Sequence, residues 1–343
     1  MKKSLFLWFL IIGAMFTSCQ SRKQYYLESG SVFHTVYHIK YEAARPLTAE
    51  IDSIFKRFDL SLNPFNEESI IARVNRNEEV EVDDWFAEVF RKAEEVAGRS
   101  GGVFDITCAP LVNLWGFGFS RKDSVTPQAV DSIRQFVGYR KVRLDGKRVV
   151  KDDGRVLLNC SAIAKGYACD VIARMLEREG VENYMVEIGG EIMMKGRNPQ
   201  GNCWSIGINR PENDTLGIKE EVEEVIRVCE KRGVATSGNY RNYYEKDGKI
   251  YAHTIDPRTG YPAEQNILSA TVVAPDCMTA DAYATAFMAL GLEAAEQLAA
   301  GLPDIAYFVI YADTAGKQRI SYSQNMIGYM PERKELSELE NPS

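Results

Sequence analysis

Only three histidines stand in this chain of 343 residues, His34, His38 and His253, so imidazole chemistry has few places to reside and an imidazole-rich zinc site is disfavoured. His253 opens the segment His253-Thr254-Ile255-Asp256-Pro257-Arg258-Thr259-Gly260, which gathers an imidazole, a carboxylate and a guanidinium in one Pro/Gly-bounded loop. Imidazole can take up a proton near neutral pH, and a guanidinium can clamp phosphate. The plainer alternative is an Asp-Pro turn whose charges are solvated. A second cluster, Asp276-Cys277-Met278-Thr279-Ala280-Asp281-Ala282-Tyr283-Ala284-Thr285, sets Asp281 and Thr285 at i and i+4, on one face of a helix. A carboxylate and a hydroxyl there suit a hard cation such as Mg²⁺, completed by carbonyls, water and substrate phosphate. By itself, Asp281 reads as a first-turn acid favoured by the helix dipole.

Three further segments offer less specific chemistry. Asn159-Cys160-Ser161-Ala162-Ile163-Ala164-Lys165-Gly166-Tyr167 leaves a strand and opens a helix, where free amides, the dipole and the Lys165 cation favour phosphate. The spacing lacks the Walker pattern, and an Asn- or Ser-capped helix is the alternative. Ser100-Gly101-Gly102-Val103-Phe104-Asp105-Ile106-Thr107 pairs two glycines, which permit close backbone approach, with an acid able to bind a base or ribose; a capped helix-to-strand turn explains it equally. Val186-Glu187-Ile188-Gly189-Gly190-Glu191-Ile192 reads as a strand broken by a bulge, facing a ligand or not.

The elements that must hold these groups are legible in the periodicities. Alternation from Val32 to Tyr41 predicts one strand, on which His34 and His38 share a face as a two-histidine metal site or as surface and packing residues. Ile51, Ile54, Phe55 and Phe58 fall at helical spacing. So do Phe86, Val89, Phe90, Ala93 and Ala97, with Asp83 as cap and Gly98 as stop. Thr126-Pro127 opens a helix closing at Gly138, and Asp145-Gly146 and Asp153-Gly154 punctuate three short strands. Helices are expected over 163–178 and 279–290, strands over 184–188, 204–209 and 268–274, and a hairpin at Asp247-Gly248. Antiparallel runs interrupted by single long helices give an α+β fold rather than a doubly wound sheet.

Lys plus Arg number 41 against 48 Asp plus Glu, a formal charge of −7, which disfavours nucleic acid as a partner. At the N-terminus, Lys2 and Lys3 precede an apolar run from Leu5 to Phe16, then small residues and Cys19, the order of a secretory signal. Phe16-Thr17-Ser18-Cys19 is similar to a bacterial lipobox, so residues 1–18 are expected to be removed and Cys19 lipidated. An ordinary signal cut nearby and an uncleaved anchor are the alternatives. Residues 19–30 then read as a membrane tether, 31–330 as the folded body and 331–343 as a charged, mobile tail. The other six cysteines, Cys108, Cys160, Cys169, Cys203, Cys229 and Cys277, show no CxxC spacing and read mostly as small buried hydrophobes.

Together and in this order, the motifs resemble those of the ApbE family, the FAD:protein FMN transferases, from about Gly30 to near Tyr322, with Ser237-Gly238-Asn239-Tyr240-Arg241 and Thr271-Val272-Val273-Ala274-Pro275 adding to the likeness. The resemblance implies two T-fold-like halves with mainly antiparallel sheets, binding FAD and Mg²⁺ between them. It further implies transfer of FMN from FAD to a Thr or Ser hydroxyl of a target protein, as a phosphoester, with release of AMP. Phe33 and Phe65 stand where the family contacts flavin, and Val103, Phe104 and Asp105 match its Ala-Phe-Asp segment. Lys165 and Ile255 match other FAD contacts, and Asn159 falls where an acid is usual. The Ala162 carbonyl, Asp281 and Thr285 would form the metal set, and His253 matches the residue taken as base. His34 replaces a common Gly, and Ala284 a second metal acid of some members. The implied acceptors are subunits of membrane redox complexes, on the exterior, periplasmic side of the cytoplasmic membrane. FAD pyrophosphatase and non-catalytic flavin-binding lipoprotein are the alternative functions.

Overall fold

The computed structural model of the protein describes residues 23–117, 125–211, 222–238, 243–246, 249–252, 254–263, 266–331 and 333. Eight strands form its main sheet: β1 (Gln24–Val32), β2 (Thr35–Ala43), β3 (Tyr184–Ile188), β4 (Glu191–Lys195), β5 (Arg232–Gly238), β6 (Ile267–Ala274), β7 (Ala306–Ala312) and β8 (Gln318–Tyr322). They lie side by side in chain order, and every ladder is antiparallel.

Both faces of this sheet are covered, so successive residues of a strand enter different cores. On β7, Tyr307 and Val309 join the larger core while Ala306, Phe308 and Ile310 join the smaller. The larger core is completed by α1 (Thr48–Leu62), α2 (Asp84–Arg99), α3 (Ala164–Arg178) and α4 (Cys277–Leu290). A hairpin of Trp204–Asn209 and Val222–Val228, together with the 3₁₀ segment Gln324–Tyr329, closes the smaller one. Counting only the sheet strands and the two central helices, the order strand, strand, helix, strand, strand occurs twice, as β1-β2-α3-β3-β4 and β5-β6-α4-β7-β8, which gives two similar halves.

The central helices approach closely because glycines face them. A Cβ on Gly166 of α3 would stand 2.4 Å from the Cys277 carbonyl oxygen, and one on Gly233 of β5 would stand 2.3 Å from Cys277 Cα. The first turn of α4 is thus wedged between α3 and the sheet. Its amides are satisfied from two sides, Thr279 N–H donating to Asp276 Oδ1 (2.7 Å), and Cys277 and Met278 N–H donating to the two oxygens of buried Asp170 on α3 (2.8 and 2.9 Å). This cross-helix cap starts α4 two residues before the expected 279.

Several expectations are corrected. The strand read from Val32 to Tyr41 breaks at Phe33-His34, both in the left-handed region (φ 51° and 60°), and Val32 pairs with Thr35 around that turn. His34 therefore sits in a turn and His38 in β2, where its Nδ1 meets Glu187 Oε2 at 3.2 Å, so they share no face and form no metal pair. Of the residues read as tether, Gln24–Gly30 form the edge strand. Gly189-Gly190 is not a bulge but a two-residue hairpin turn, with Ile188 opposite Glu191. Helix α2, capped by Asp83 as expected, runs past Gly98 to Arg99. Asp145-Gly146 opens the hairpin Val142–Asp145/Arg148–Lys151, whereas the chain after Asp153-Gly154 enters no strand among the described residues. Lys246 pairs with Lys249 around the third Asp-Gly. Cys203 and Cys229 are joined in a disulfide. Cys160, Cys169 and Cys277 are buried thiols, as expected. Arg333, read as tail, pairs with the Glu224 carboxylate. Cys19 lies outside the described residues, among which no helix is long and apolar enough to cross a membrane.

Candidate active site between the two halves

Asp281 lies on the inner face of α4, 3% exposed, and its Oδ2 accepts the Gly166 N–H (3.0 Å) in the first turn of α3. Neither Asn159 nor Ser161 caps that helix. The acid of the opposite half does so, and the start of a helix dipole favours the charge it carries. Asn159 instead makes a local turn, its Oδ1 accepting Ser161 N–H (2.8 Å) while its N–H donates to the Ile106 carbonyl (2.7 Å). Ile163 and Ala164 N–H both donate to the Cys160 carbonyl, so Ala162 sits in the tight turn entering α3.

Lys165 follows in α3 and ion-pairs with Glu191 Oε1, the first residue of β4. Burial opposes charge on Lys165, but Asp281 and Glu191 outweigh it and raise its pKa. Glu191 is 5% exposed, and its Oε2 has no hydrogen-bond partner. Burial pushes both acids up, with Asp281 adding to the rise at Glu191, while Lys165 pulls each of them down. Thr285, one turn beyond Asp281 and half-buried, meets Ser237 Oγ of β5 at 3.3 Å. Among the described residues, no three His, Cys, Asp or Glu side chains gather as a metal cluster. Any cation here would be completed by hydroxyl, carbonyl, phosphate or water oxygens, and a buried carboxylate beside a hydroxyl suits a hard divalent ion.

The other expected site residues take their places in the fold as follows. Asp105 commits its carboxylate to the fold. Oδ1 accepts both the N–H and the hydroxyl of Thr107 (2.7 Å each), and Oδ2 accepts Tyr139 N–H (2.6 Å). Burial raises its pKa against those hydrogen bonds. Val103 and Phe104 are 4% and 2% exposed and belong to the main core. Ile255 is likewise core, beside Trp115 and Val130. The loop after it folds on buried Asp256, which holds the Arg258 guanidinium through both oxygens (2.8–3.2 Å), while Trp115 Nε1 donates to the Gly260 carbonyl (2.9 Å). At the Phe33-His34 turn, Phe33 packs on Phe58 (5.0 Å between centroids), and His34 stands edge-on to Phe65 (5.2 Å), which is 58% exposed. His253 lies outside the described residues. The sequence assigns no role to Ser237, which it marks only as part of a motif, or to Asp170, and for Glu191 the Gly-Gly-Glu order is its local signal.

A model of the ApbE family matches residues 33–309. The FAD:protein FMN transferase of Vibrio cholerae is 35% identical over 299 residues, covering 83% of this chain and 88% of that protein. That of Haemophilus influenzae is 36% identical over 313 residues, covering 86% and 89%. Among solved structures, the flavin transferase ApbE from Vibrio cholerae superposes with a TM-score of 0.81 at 32% identity, over 90% of this chain and all of that one. The ApbE protein of Thermotoga maritima gives 0.77 at 28% identity, over 90% of this chain and 99% of that one. Extended over both halves and the site between them, these likenesses establish that the chain belongs to the ApbE family.

Proposed function

We propose that the chain is an FAD:protein FMN transferase that moves FMN from FAD to a Thr or Ser hydroxyl of an acceptor protein and releases AMP. The observation that carries this reading is the placement of Asp281, buried, fixed by the Gly166 N–H, and grouped with Thr285 and Lys165 where the two halves meet. The names of the relatives that span most of the chain support the choice of substrate.

Asp281, Thr285 and the Ala162 carbonyl would hold Mg²⁺, which when bound neutralises diphosphate charge and polarises the attacked phosphorus. Lys165 supplies a fixed positive charge for a phosphate oxygen. In the reaction, the acceptor oxygen forms a bond to the FMN phosphorus and the bond from that phosphorus to the AMP oxygen breaks. The hydroxyl proton passes to His253, an arrangement worth about 10²–10⁴-fold in rate. Phe33 and Phe65 offer aromatic surface to the flavin, and the 103–105 and 159 segments, joined by the Asn159–Ile106 hydrogen bond, would form the wall beside the rest of FAD.

The N-terminal signal and Cys19 support a lipid-anchored protein on the periplasmic side of the membrane, and the Cys203–Cys229 disulfide suits an oxidising compartment. Subunits of membrane redox complexes are then the acceptors within reach. The test is incubation with FAD, Mg²⁺ and candidate acceptor subunits, followed by intact mass. An FMN adduct on a Thr or Ser is expected, and free FMN beside unmodified acceptors would assign hydrolysis instead.

A further inference from the structure

Two buried carboxylates, Asp281 and Glu191, face one ammonium, Lys165, and the ammonium is bonded to Glu191. Among the described residues, Asp281 accepts a hydrogen bond from one neutral amide, that of Gly166. The arrangement is built rather than incidental. Glu191 starts β4 directly after the left-handed Gly189-Gly190 turn, its carbonyl accepts from Cys169 Sγ (3.2 Å) on α3, and its side chain points inward. Lys165 lies one residue before the amide that binds Asp281, so both carboxylates lie close enough to act on its charge.

An ammonium left between two acids pairs with whichever is available, and an Asp281 paired with Lys165 would have little charge left for a dication. We infer that Glu191 is a positioning residue, the counter-ion that holds the Lys165 ammonium off Asp281 and so leaves the Asp281 carboxylate to the divalent cation. The inference rests on the cation reading above. With Glu191 and all three groups ionised, they sum to one negative charge. Without it they sum to zero, and Lys165 turns to Asp281.

The test is Mn²⁺ binding to the full-length chain without FAD, followed by the electron paramagnetic resonance of free Mn²⁺, for wild type, Glu191→Gln, Lys165→Met and the double variant. Glu191→Gln should weaken Mn²⁺ binding roughly tenfold or more. Lys165→Met should bind at least as tightly as wild type, and the double variant should return to within about threefold of wild type. A purely structural role for Glu191, or direct ligation by it, predicts additivity instead, with Lys165→Met improving binding no more in the Glu191→Gln background than in wild type. Unchanged affinity in Glu191→Gln, a double variant as weak as that single one, or weakened binding in Lys165→Met would each overturn the inference. The last holds even if Glu191→Gln does not fold. Absence of Mn²⁺ binding to wild type would instead remove the cation reading, and this inference with it.

Discussion

Gly166→Ala tests whether the contact between α3 and α4 places Asp281. The added methyl would lie 2.4 Å from the Cys277 carbonyl oxygen, 2.7 Å from its carbon and 2.8 Å from Asp281 Cβ. Carbon and carbonyl oxygen settle at about 3.3–3.6 Å, so the helices must part by roughly 1 Å. Overpacking of this kind costs about 1–3 kcal/mol, and replacing a helical glycine by alanine returns about 0.5–1 kcal/mol. The net loss is about 0–2.5 kcal/mol, a fall in Tm of up to several degrees. Activity should suffer more, because the same movement stretches the Gly166–Asp281 hydrogen bond, and a displacement of about 1 Å at a reacting centre can lower rates by about 10²-fold. Gly98→Ala in α2 is the control, since nothing lies within 4 Å of its added carbon, and it should hold or raise Tm at unchanged activity. Calorimetry and FMN transfer to an acceptor read the two effects. A Gly166→Ala protein with wild-type Tm and wild-type transfer would refute the packing argument.

Asp170 is pushed up to about 7 by burial and by Asp276, against the amides of Cys277 and Met278. An acid raised in the folded state contributes stability that is complete below its unfolded value of 3.8 and lost as pH rises through about 7, here at most roughly 4 kcal/mol. Asp170→Asn should therefore lose less stability than wild type between pH 5 and 8, and parallel Tm profiles would contradict this. Cys203→Ser with Cys229→Ser opens a loop of sequence separation 26 and should lower stability by roughly 3–4 kcal/mol, measured in urea under non-reducing conditions; an unchanged midpoint would remove the bond from the stability account. Cys19→Ala should release the protein from membrane fractions or block its maturation, whereas unchanged fractionation with an unacylated wild-type N-terminus would exclude the anchor.

Features decided within a few residues were legible in the sequence. The Asp83 cap, the start of α3 near 163, the i, i+4 placement of Asp281 and Thr285, and the Asp-Gly hairpins all follow from local chemistry. What local chemistry does not decide was missed. Strand β4, Glu-Ile-Met-Met-Lys, is buried on both faces and so lacks the alternation that marks a half-buried strand. The Phe33-His34 turn carries no glycine or asparagine to announce its left-handed backbone. Asp281 capping α3, Asp170 capping α4, Lys165 pairing with Glu191 and Cys203 bonding Cys229 all join residues far apart in the chain, so none had a spacing to read. Among the matched family positions, Val103, Phe104, Asp105 and Ile255 are largely packing or backbone-organising residues.

Transfer to a protein hydroxyl, with Asp281 and His253 in the chemistry, separates this reading from hydrolysis by where the flavin ends. It is tested most directly by measuring AMP released and flavin bound to acceptor in one reaction containing FAD, Mg²⁺ and an acceptor subunit. One bound flavin per AMP is expected for wild type, loss of both for Asp281→Ala, and a fall in both rates of roughly 10²-fold for His253→Ala. AMP accumulating with free FMN, or a wild-type rate in either variant, would contradict the account.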